Sequence, residues 1–475
     1  MTRPFQIFVL LACLAFTAPA ADLPDLGDVG AGDFSPVQER QVGEEIMREV
    51  RRDPAWLDDP QTEEYINRLG QRLVAASADP SRRFEFFVVK HAMLNAFALP
   101  GGYIGVHSGL ILAAQSESEL AGVLGHEIGH VTQRHIAQLI GKQKQLGAIM
   151  LASLLAALAA GDSRASEAAL AAGAAGTMQA QLAYTRDFER EADRAGLETL
   201  ENAGFDVRGM AGFFSRLQRA SRLYENNAPA YLRTHPLTTE RIADMENRAM
   251  NRPHRQVSDS ADFRYVQARL RVQGLSAADA ARTFAGLVAE KPGDVAARYG
   301  LALAHLRLGR LDEAAREVDD LRRRAEASPF IAILGAELAA ARRDDAAAIE
   351  TLTAASRKFP LSQSVVYALL DAQIVGGRAA EAEQRVRRSL AGRSGDIRLW
   401  QLLSRANAAL GRRTAQHRAQ AEVYVLQGAY RAAIEQLELA RKTGDGDFYE
   451  LSAADARLRE IRNRMREEQK QERRR

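Results

Sequence analysis

The chain has 475 residues, which exceeds what one hydrophobic core usually organises, so we expect two domains of roughly 200 residues each. Its hydrophobic fraction of 46% and charged fraction of 26% are close to those of globular proteins, which argues against a disordered chain and against an integral membrane protein. The formal net charge of +3 gives no reason to propose a nucleic acid as a partner.

The first residues have the pattern of a secretory signal peptide. Arg3 precedes an apolar run over residues 5–16, and residues 18–20 form a small-x-small cleavage site. We therefore predict that residues 1–20 are removed on export. The alternatives are a buried amino-terminal helix and a lipid anchor at Cys13, the only cysteine in the sequence. Cleavage removes that cysteine, so the mature chain must be stabilised by packing and metal rather than by disulfides.

The next segment predicts a helix and then short strands. Apolar residues recur at helical spacing over 62–76, and we expect this helix to pack on a sheet. Residues 84–89 and 95–99 are rich in aromatic, β-branched and other apolar side chains, which is typical of strands. The Pro-Gly-Gly sequence at 100–102 forces a turn into another strand at 103–106.

A second helix is predicted by the pair Ser116 and Glu119, which has the spacing of a capping box, and we expect it to run to Gly141. This helix contains the sequence His-Glu-Ile-Gly-His at residues 126–130. Residues four apart lie on one helix face, so His126 and His130 can direct both imidazoles at one ion.

The chemistry that this motif supports is zinc-dependent hydrolysis. Zinc lowers the pKa of a water molecule towards neutrality, and Glu127 is placed to take its proton as that water attacks a peptide carbonyl. The alternative is a pair of structural histidines on a helix surface. Gly122, Gly125 and Gly129 favour a packed site, because each costs up to about 1 kcal/mol of helix propensity unless a neighbouring backbone must approach closely.

A third ligand must come from another segment of the chain. His135 lies half a turn away from the face that carries the motif histidines, so we expect it to point elsewhere. The best donor is the acidic cluster at residues 188–193, which begins a further helix. Within it we interpret Glu191, with Arg190 and Arg194, as part of a solvated charged face.

Beyond residue 252 the sequence becomes a series of Ala/Leu/Arg-rich helices with an internal repeat. Glycines at 274, 309, 377 and 411 are 35, 68 and 34 positions apart, which is the period of a tetratricopeptide array, and Arg342 stands where one turn glycine belongs. The predicted fold is mostly α (α+β), with a zincin-type domain that contains a small β-sheet, followed by a helical solenoid. The predicted domains are a signal peptide at 1–20, a zinc metalloprotease domain at 21–252, a repeat domain at 253–456 and a charged, solvated helix or tail at 457–475.

The motif at 126–130 and the sequence Glu189-x-x-Ala192-Asp193 together resemble the zincin family that includes the HtpX membrane proteases and the CAAX prenyl proteases. In that family the first Glu of Glu-x-x-Ala-Asp is the third zinc ligand, which implies this role for Glu189. Asp193 lies four residues further on the same helix face, so it can accept a hydrogen bond from a ligating histidine. We count Asp193 among the catalytic residues in that supporting role.

With a signal peptide in front and repeats behind, the chain resembles periplasmic quality-control proteases of Gram-negative bacteria. The sequences at 184–187 and 234–237 strengthen the resemblance. It implies that His235 is an extra zinc ligand that holds the enzyme latent. From the residues alone, His235 equally well stabilises the oxyanion as a catalytic residue or caps a helix before Pro236.

The resemblance also implies a substrate-binding edge strand that begins at Asn95, Ala96, Phe97 and Ala98, to which an extended substrate adds as another strand. An ordinary hairpin at these residues is compatible with that role. Where membrane-bound relatives have a transmembrane helix, this chain has an apolar stretch of about 16 residues at 146–161, which is short for a bilayer span. We expect there either a flap near the cleft, with peripheral membrane contact, or a plain core helix.

The function implied by the resemblance is that of a periplasmic endopeptidase with one zinc ion per chain. It would degrade misfolded or stalled outer-membrane β-barrel proteins and, like a chaperone, promote their assembly, while the repeats dock on the outer-membrane β-barrel assembly machinery. The alternative from another class is an assembly scaffold whose metal site is mostly latent. A non-proteolytic zinc hydrolase is disfavoured, because nothing in the sequence builds a small-molecule pocket.

Overall fold

The computed structural model describes residues 34–142, 186–221, 230–253 and 255–472. The predicted signal peptide and the apolar stretch at 146–161 lie outside these residues. Within the described ranges, no helix combines the length and the apolar character needed to cross a lipid bilayer.

The amino-terminal part of the molecule consists of helices around one small sheet. Its elements are α1 (Pro36–Val50), α2 (Pro60–Ala75), β1 (Glu85–Val89), β2 (Ala96–Leu99), β3 (Tyr103–His107), α3 (Ser108–Ala113), α4 (Glu117–Thr132), α5 (His135–Lys142), α6 (Arg186–Asn202), α7 (Arg208–Ser221), α8 (Ala230–Thr234) and α9 (Thr239–Met250). The three predicted strands are confirmed. Helix α2 begins two residues before its predicted start, because Pro60 is well suited to a first helical position, where no backbone N–H is needed.

The sheet has the strand order β1-β3-β2, with β1 parallel and β2 antiparallel to the central strand β3. The turn between β2 and β3 places Gly101 and Gly102 at φ of 79° and 82°, which side chains disfavour. One face of the sheet packs on α2 and α4 and the other on α1. No other described strand pairs with the outer edge of β2, so β2 is an edge strand of this sheet.

Helix α4 carries the His-Glu-Ile-Gly-His motif and is buried from Glu117 to Val131. Ser116 accepts a hydrogen bond from the backbone N–H of Glu119, as predicted, but the Glu119 carboxylate accepts from the N–H of Gln115 rather than from that of Ser116. The predicted end at Gly141 is wrong. The helix ends at Thr132, because Arg134 adopts a φ of 56° and α5 starts in a new direction at His135.

Helices α4 and α6 lie in close contact through residues with little or no side chain. A Cβ atom on Gly129 would lie 2.9 Å from the carbonyl oxygen of Ala192, and one on Gly125 would lie 3.2 Å from the carbonyl oxygen of Gly196. A Cβ on Gly122 would lie 2.7 Å from the Cβ of Met210 in α7. The close backbone approach expected from these glycines is therefore present.

The carboxy-terminal part of the molecule is a series of paired helices. They are α10 (Ala261–Gly274), α11 (Ala277–Glu290), α12 (Val295–Arg307), α13 (Leu311–Arg324), α14 (Pro329–Ala341), α15 (Asp345–Lys358), α16 (Gln363–Val375), α17 (Ala379–Leu390), α18 (Ile397–Ala409), α19 (Arg413–Leu426), α20 (Tyr430–Ala440) and α21 (Phe448–Glu472). The mostly helical fold with a small sheet is thus confirmed.

The repeat period is visible in the backbone of the turns. Gly309, Gly377 and Gly411 have φ values of 70°, 77° and 71°, which glycine adopts without strain. Arg343, 34 positions after Gly309, has a φ of 63° and occupies the equivalent turn position. The prediction that Arg342 stands there is therefore wrong by one residue.

The last helix, α21, is longer than the predicted charged tail. It begins at Phe448, and its residues Leu458 and Ile461 are buried against α19 and α20. From residue 457 to Glu467, the segment is therefore a helix that packs two apolar side chains on the last repeats and keeps most of its polar side chains exposed, which is compatible with the predicted solvated helix.

The two parts of the chain share an interface that is both apolar and charged. One continuous cluster of buried apolar side chains extends from α2 through α4 and α10 to α14. Helix α2 packs on α10 and on α16, and the Glu64 carboxylate accepts hydrogen bonds from the Ser362 hydroxyl and the Ser364 N–H. The Arg269 guanidinium of α10 donates to both carboxylate oxygens of Asp59, at 2.8 and 2.9 Å.

We expect Gly129→Ala to lower the stability of the protein by roughly 1–3 kcal/mol, because the added methyl group overpacks the contact between α4 and α6. The control is Gly212→Ala in α7, where nothing lies within 4 Å of an added Cβ, so that helix propensity should stabilise the protein by up to about 1 kcal/mol. Thermal unfolding of both variants measures the difference. Equal midpoints would contradict the close packing of these helices.

We expect Asp59→Asn to destabilise the protein by about 3–5 kcal/mol, because it leaves the buried Arg269 guanidinium unpaired. Burial alone would raise the pKa of Asp59, but Arg269 and Thr62 hold it below the ordinary value of 3.8. The contribution is therefore present above pH 3.8 and is lost as the pH falls further. The control is Asp58→Asn, whose side chain is 65% exposed in its pair with Arg398 and should contribute less than about 1 kcal/mol.

Chemical denaturation at pH 7 of the two variants provides the measurement. An Asp59→Asn variant as stable as Asp58→Asn would show that this buried pair does not stabilise the interface.

Candidate metal centre

Helix α4 brings three functional side chains of the motif into the protein interior. His126, Glu127 and His130 have no exposed surface. The Nε2 atoms of His126 and His130 lie 3.0 Å apart, so the two imidazoles point at one position. This is the convergence that a spacing of four residues on a helix provides.

Helix α6 adds a carboxylate from about sixty positions further along the chain. The Glu189 side chain is buried, and its oxygens lie 3.5 Å from Nε2 of His126 and 3.4 Å from Nε2 of His130. Burial alone would raise the pKa of Glu189, but the surrounding histidines His235, His126 and His130 hold it well below its ordinary value. Glu189 is therefore an anion at neutral pH.

A third imidazole comes from the segment between α8 and α9. The Nδ1 atom of His235 lies 3.0 Å from a carboxylate oxygen of Glu189 and 3.4 Å from Nε2 of His126. The ring of His235 is buried and stacks on that of Tyr231, with centroids 4.6 Å apart. The structure thus brings His235 to the same position as the other three side chains.

The spacing of these donors fits a tetrahedral metal ion. One donor atom from each of His126, His130, Glu189 and His235 lies within 4.8 Å of all the others. Zinc bonds of about 2.0–2.1 Å at tetrahedral angles separate ligand atoms by about 3.4 Å, and the donor distances given above are 3.0–3.5 Å.

The chemistry of the donors also suits a cation. The buried carboxylates of Glu189 and Asp193 have pKa values below their ordinary ones, and Arg241 pairs with both. Charges in a protein interior are stable only when they are paired. Imidazole nitrogens and a carboxylate oxygen that converge on one position are ligands that zinc prefers, so the residues present fit a metal ion in donor type as well as in distance.

The far side of His126 is held by Asp193. Its Oδ1 atom lies 3.0 Å from Nδ1 of His126, on the opposite side of the ring from the donor cluster. Burial opposes a charge on His126, but Asp193 and Glu189 outweigh it and raise its pKa to about 9. Such a carboxylate partner fixes the tautomer of a ligating histidine and increases its basicity.

Sequence reasoning missed Arg241, in the first turn of α9. Its guanidinium donates to both oxygens of Asp193, at 2.7 and 2.8 Å, and lies 2.7 Å from an oxygen of Glu189. It also donates to the carbonyl oxygen of Pro236 at 2.7 Å, which fixes the backbone next to His235. No spacing or motif in the sequence connects an arginine after the Thr-His-Pro element with acids near residue 190.

Two further residues differ from the sequence-based interpretation. His135 does not face the donor cluster, as expected, but its Nδ1 atom lies 2.9 Å from Nδ1 of His130. Its Nε2 atom lies 3.1 Å from a carboxylate oxygen of Glu191. The interpretation of Glu191 as a purely solvated residue is therefore wrong, although half of its side chain is exposed.

Glu127, the acid of the motif, lies beside the four donor residues. Its carboxylate oxygens accept no hydrogen bond of ordinary geometry from the described residues, and one of them lies 3.6 Å from Nε2 of His235. Burial raises the pKa of Glu127, and His235 and His126 offset this only in part. A carboxylate whose pKa lies above its ordinary value holds a proton more readily and is suited to accept and return one.

The predicted substrate strand lies beside the motif helix. Ala96, Phe97 and Ala98 belong to β2, which packs against α4, and all three side chains are buried. Asn95 precedes the strand, and its side-chain oxygen is buried without a hydrogen-bond partner among the described residues. Within residues 34–142, 186–221, 230–253 and 255–472, no second strand pairs with the outer edge of β2.

Comparison with known proteins agrees with this site. The model of peptidase family M48 matches residues 60–249, which include all four donor residues, and a tetratricopeptide repeat model matches residues 276–338. The chain is 35% identical to the putative beta-barrel assembly-enhancing protease of Vibrio cholerae, over 90% of this chain and 91% of that protein.

It is 33% identical to the beta-barrel assembly-enhancing protease of Escherichia coli strain K12, over 94% of this chain and 93% of that protein. It is also 31% identical to the mitochondrial metalloendopeptidase OMA1 of Arabidopsis thaliana, over 44% of this chain and 41% of that protein. Because these relatives are metallopeptidases and two of them match nearly the whole chain, the protein is a metalloendopeptidase that belongs to peptidase family M48.

Proposed function

We propose that the protein is a zinc-dependent endopeptidase of the periplasm that degrades misfolded or stalled outer-membrane β-barrel proteins and promotes the assembly of others. The observation that carries this proposal is the convergence of four buried donor residues beside Glu127. The names of its relatives in Vibrio cholerae and Escherichia coli support the link to β-barrel assembly. The periplasmic location is supported by the signal-peptide pattern of residues 1–20.

In the proposed mechanism, His126, His130 and Glu189 hold one zinc ion. Zinc in such a site acts as a Lewis acid that lowers the pKa of a water molecule and polarises a peptide carbonyl. Glu127 accepts the proton of the attacking water and returns it to the amine of the departing product. Asp193 and Arg241 keep His126 and Glu189 in place and take no part in the proton transfer.

The proposed substrate site is the outer edge of β2, at residues Asn95, Ala96, Phe97 and Ala98. An extended chain could add to this edge as a further strand through backbone hydrogen bonds, which select conformation more than sequence. Unfolded β-barrel proteins are rich in segments that form strands, so they suit such an edge. The position of β2 against α4 supports delivery of that chain to the motif side chains.

We propose that His235 acts as a latch. Zinc sites with four protein ligands are structural, whereas catalytic sites keep one position open for water or substrate. If His235 bound the ion together with the other three residues, four protein ligands would leave no such opening. His235 would then have to move away before the enzyme could cleave a peptide.

A second role as a chaperone or assembly scaffold is favoured by the same closed arrangement. In this conformation the chain can bind a partner through its repeats but cannot hydrolyse it. Helical repeats stack into extended surfaces that take peptides and proteins. We propose that the repeats dock the protease on the outer-membrane β-barrel assembly machinery.

We expect Glu127→Gln to retain one zinc ion per chain and to lose cleavage of an unfolded β-barrel protein by roughly 10²–10⁴-fold, because the proton acceptor is absent. Metal analysis and digestion assays with and without a chelator measure both properties. The control is Glu198→Gln on the exposed face of α6, which should behave as the wild type.

Cleavage at the wild-type rate by the Glu127→Gln variant would refute the proposed mechanism. Full complementation of a deletion strain by the same variant would place the scaffold role ahead of the protease role.

We expect His235→Ala to raise the rate of casein digestion. If the open form is about one tenth of the wild-type population, removal of the latch raises the rate about tenfold. The control is His417→Ala, a histidine of α19 that hydrogen-bonds Gln436 far from the site. A reduced rate for His235→Ala would show instead that this histidine is catalytic, and an unchanged rate would remove it from the site.

A further inference from the structure

The two histidines of the motif are supported from behind in different ways. The Nδ1 atom of His126 lies 3.0 Å from the buried carboxylate of Asp193, which supports this one histidine. The Nδ1 atom of His130 meets a third imidazole, that of His135, at 2.9 Å. On the side away from the donor cluster, His126 thus contacts a carboxylate and His130 contacts an imidazole.

The contact with His135 continues to a carboxylate nearer the surface. His135 is fully buried, and its ring stacks on that of Phe188, with centroids 4.3 Å apart and an interplanar angle of 11°. Its Nε2 atom lies 3.1 Å from Oε2 of Glu191, whose side chain is 50% exposed. The stacking fixes the plane of the imidazole, and in this plane both of its nitrogens are engaged.

The metal-facing nitrogen of His130 and the carboxylate of Glu191 determine which nitrogens of His130 and His135 carry protons. The Nε2 atom of His130 faces the donor cluster and needs a free lone pair there, so the proton of the neutral ring is on Nδ1. That N–H donates to Nδ1 of His135, which therefore carries its own proton on Nε2. The Nε2–H of His135 in turn donates to the Glu191 carboxylate, which can only accept.

We propose that His135 and Glu191 are positioning residues that fix the tautomer and the ring orientation of His130 for metal binding. The inference rests on the proposed zinc site. It adds two residues to that site which neither bind the metal nor touch the substrate. We call the sequence His130, His135 and Glu191 the histidine relay.

Direct metal binding by His135 does not explain this arrangement. Its Nδ1 atom lies at Nδ1 of His130, whereas the shared donor position lies at Nε2, across the ring. A role in packing alone does not explain it either. Packing against Phe188 requires a flat ring, but it does not require nitrogen contacts at both ends of the ring.

The experiment is a competition titration of the full-length apoprotein with zinc and a chromophoric chelator, together with thermal unfolding of each apoprotein. His135→Leu removes the acceptor and should weaken zinc binding by about 10–100-fold, as is usual for partners of metal ligands. His135→Asn keeps an acceptor near the Nδ1 position and should recover part of this loss. Glu191→Ala should weaken binding, whereas its control on the same helix, Glu198→Ala, should not.

Unfolding midpoints of the apoproteins separate positioning from packing. The relay predicts that Glu191→Ala and His135→Asn change zinc affinity while the apoprotein midpoint stays at the wild-type value. Wild-type zinc affinity in both of these variants would overturn the relay, even if His135→Leu lost both metal and stability. A wild-type protein that binds no zinc would refute the proposed function together with the relay, so the two failures are distinguishable.

Discussion

The metal centre depends on the ion pairs that the Arg241 guanidinium makes with two buried carboxylates. Glu189 and Asp193 lie one turn apart on α6, and without a cation between them their charges would repel each other in a medium that solvates them poorly. The Arg241 guanidinium pairs with both carboxylates and also donates to the backbone carbonyl next to His235. One side chain thus contacts Glu189, the proposed third ligand, and Asp193, which supports His126, and it holds the backbone next to His235, the proposed latch.

The site around Arg241 also depends on the close approach of the α4 and α6 backbones. Gly125 of α4 and Gly196 of α6 let two helices approach until the histidines of one and the carboxylates of the other meet. Apolar packing on the outer faces of these helices holds the polar groups at distances that suit an ion. The proposed ligands come together only when these two helices are packed, so metal binding at this site would be coupled to folding.

Much of the fold can be predicted from the sequence, because local residue patterns determine its helices, strands and turns. The strands, the motif helix and the repeat turns follow from side-chain periodicity, turn residues and glycine spacing. Glu189 was reached only through resemblance, since no local pattern joins residues sixty positions apart, and Arg241 was not reached at all. The error at the end of α4 and the error at Glu191 have one cause. A helix continued to Gly141 would carry His135 away, whereas the reversal at Arg134 returns its imidazole to the back of His130.

The shared apolar cluster and the ion pair between Asp59 and Arg269 join the amino-terminal part of the molecule to the repeats. Helix α2 packs on the sheet and on helices α10 and α16 of the repeats, so we expect it to move with both rather than to act as a hinge. The repeats and the strands beside the motif helix are therefore joined through packed side chains rather than through a linker, so a displacement of the repeats would also displace α2.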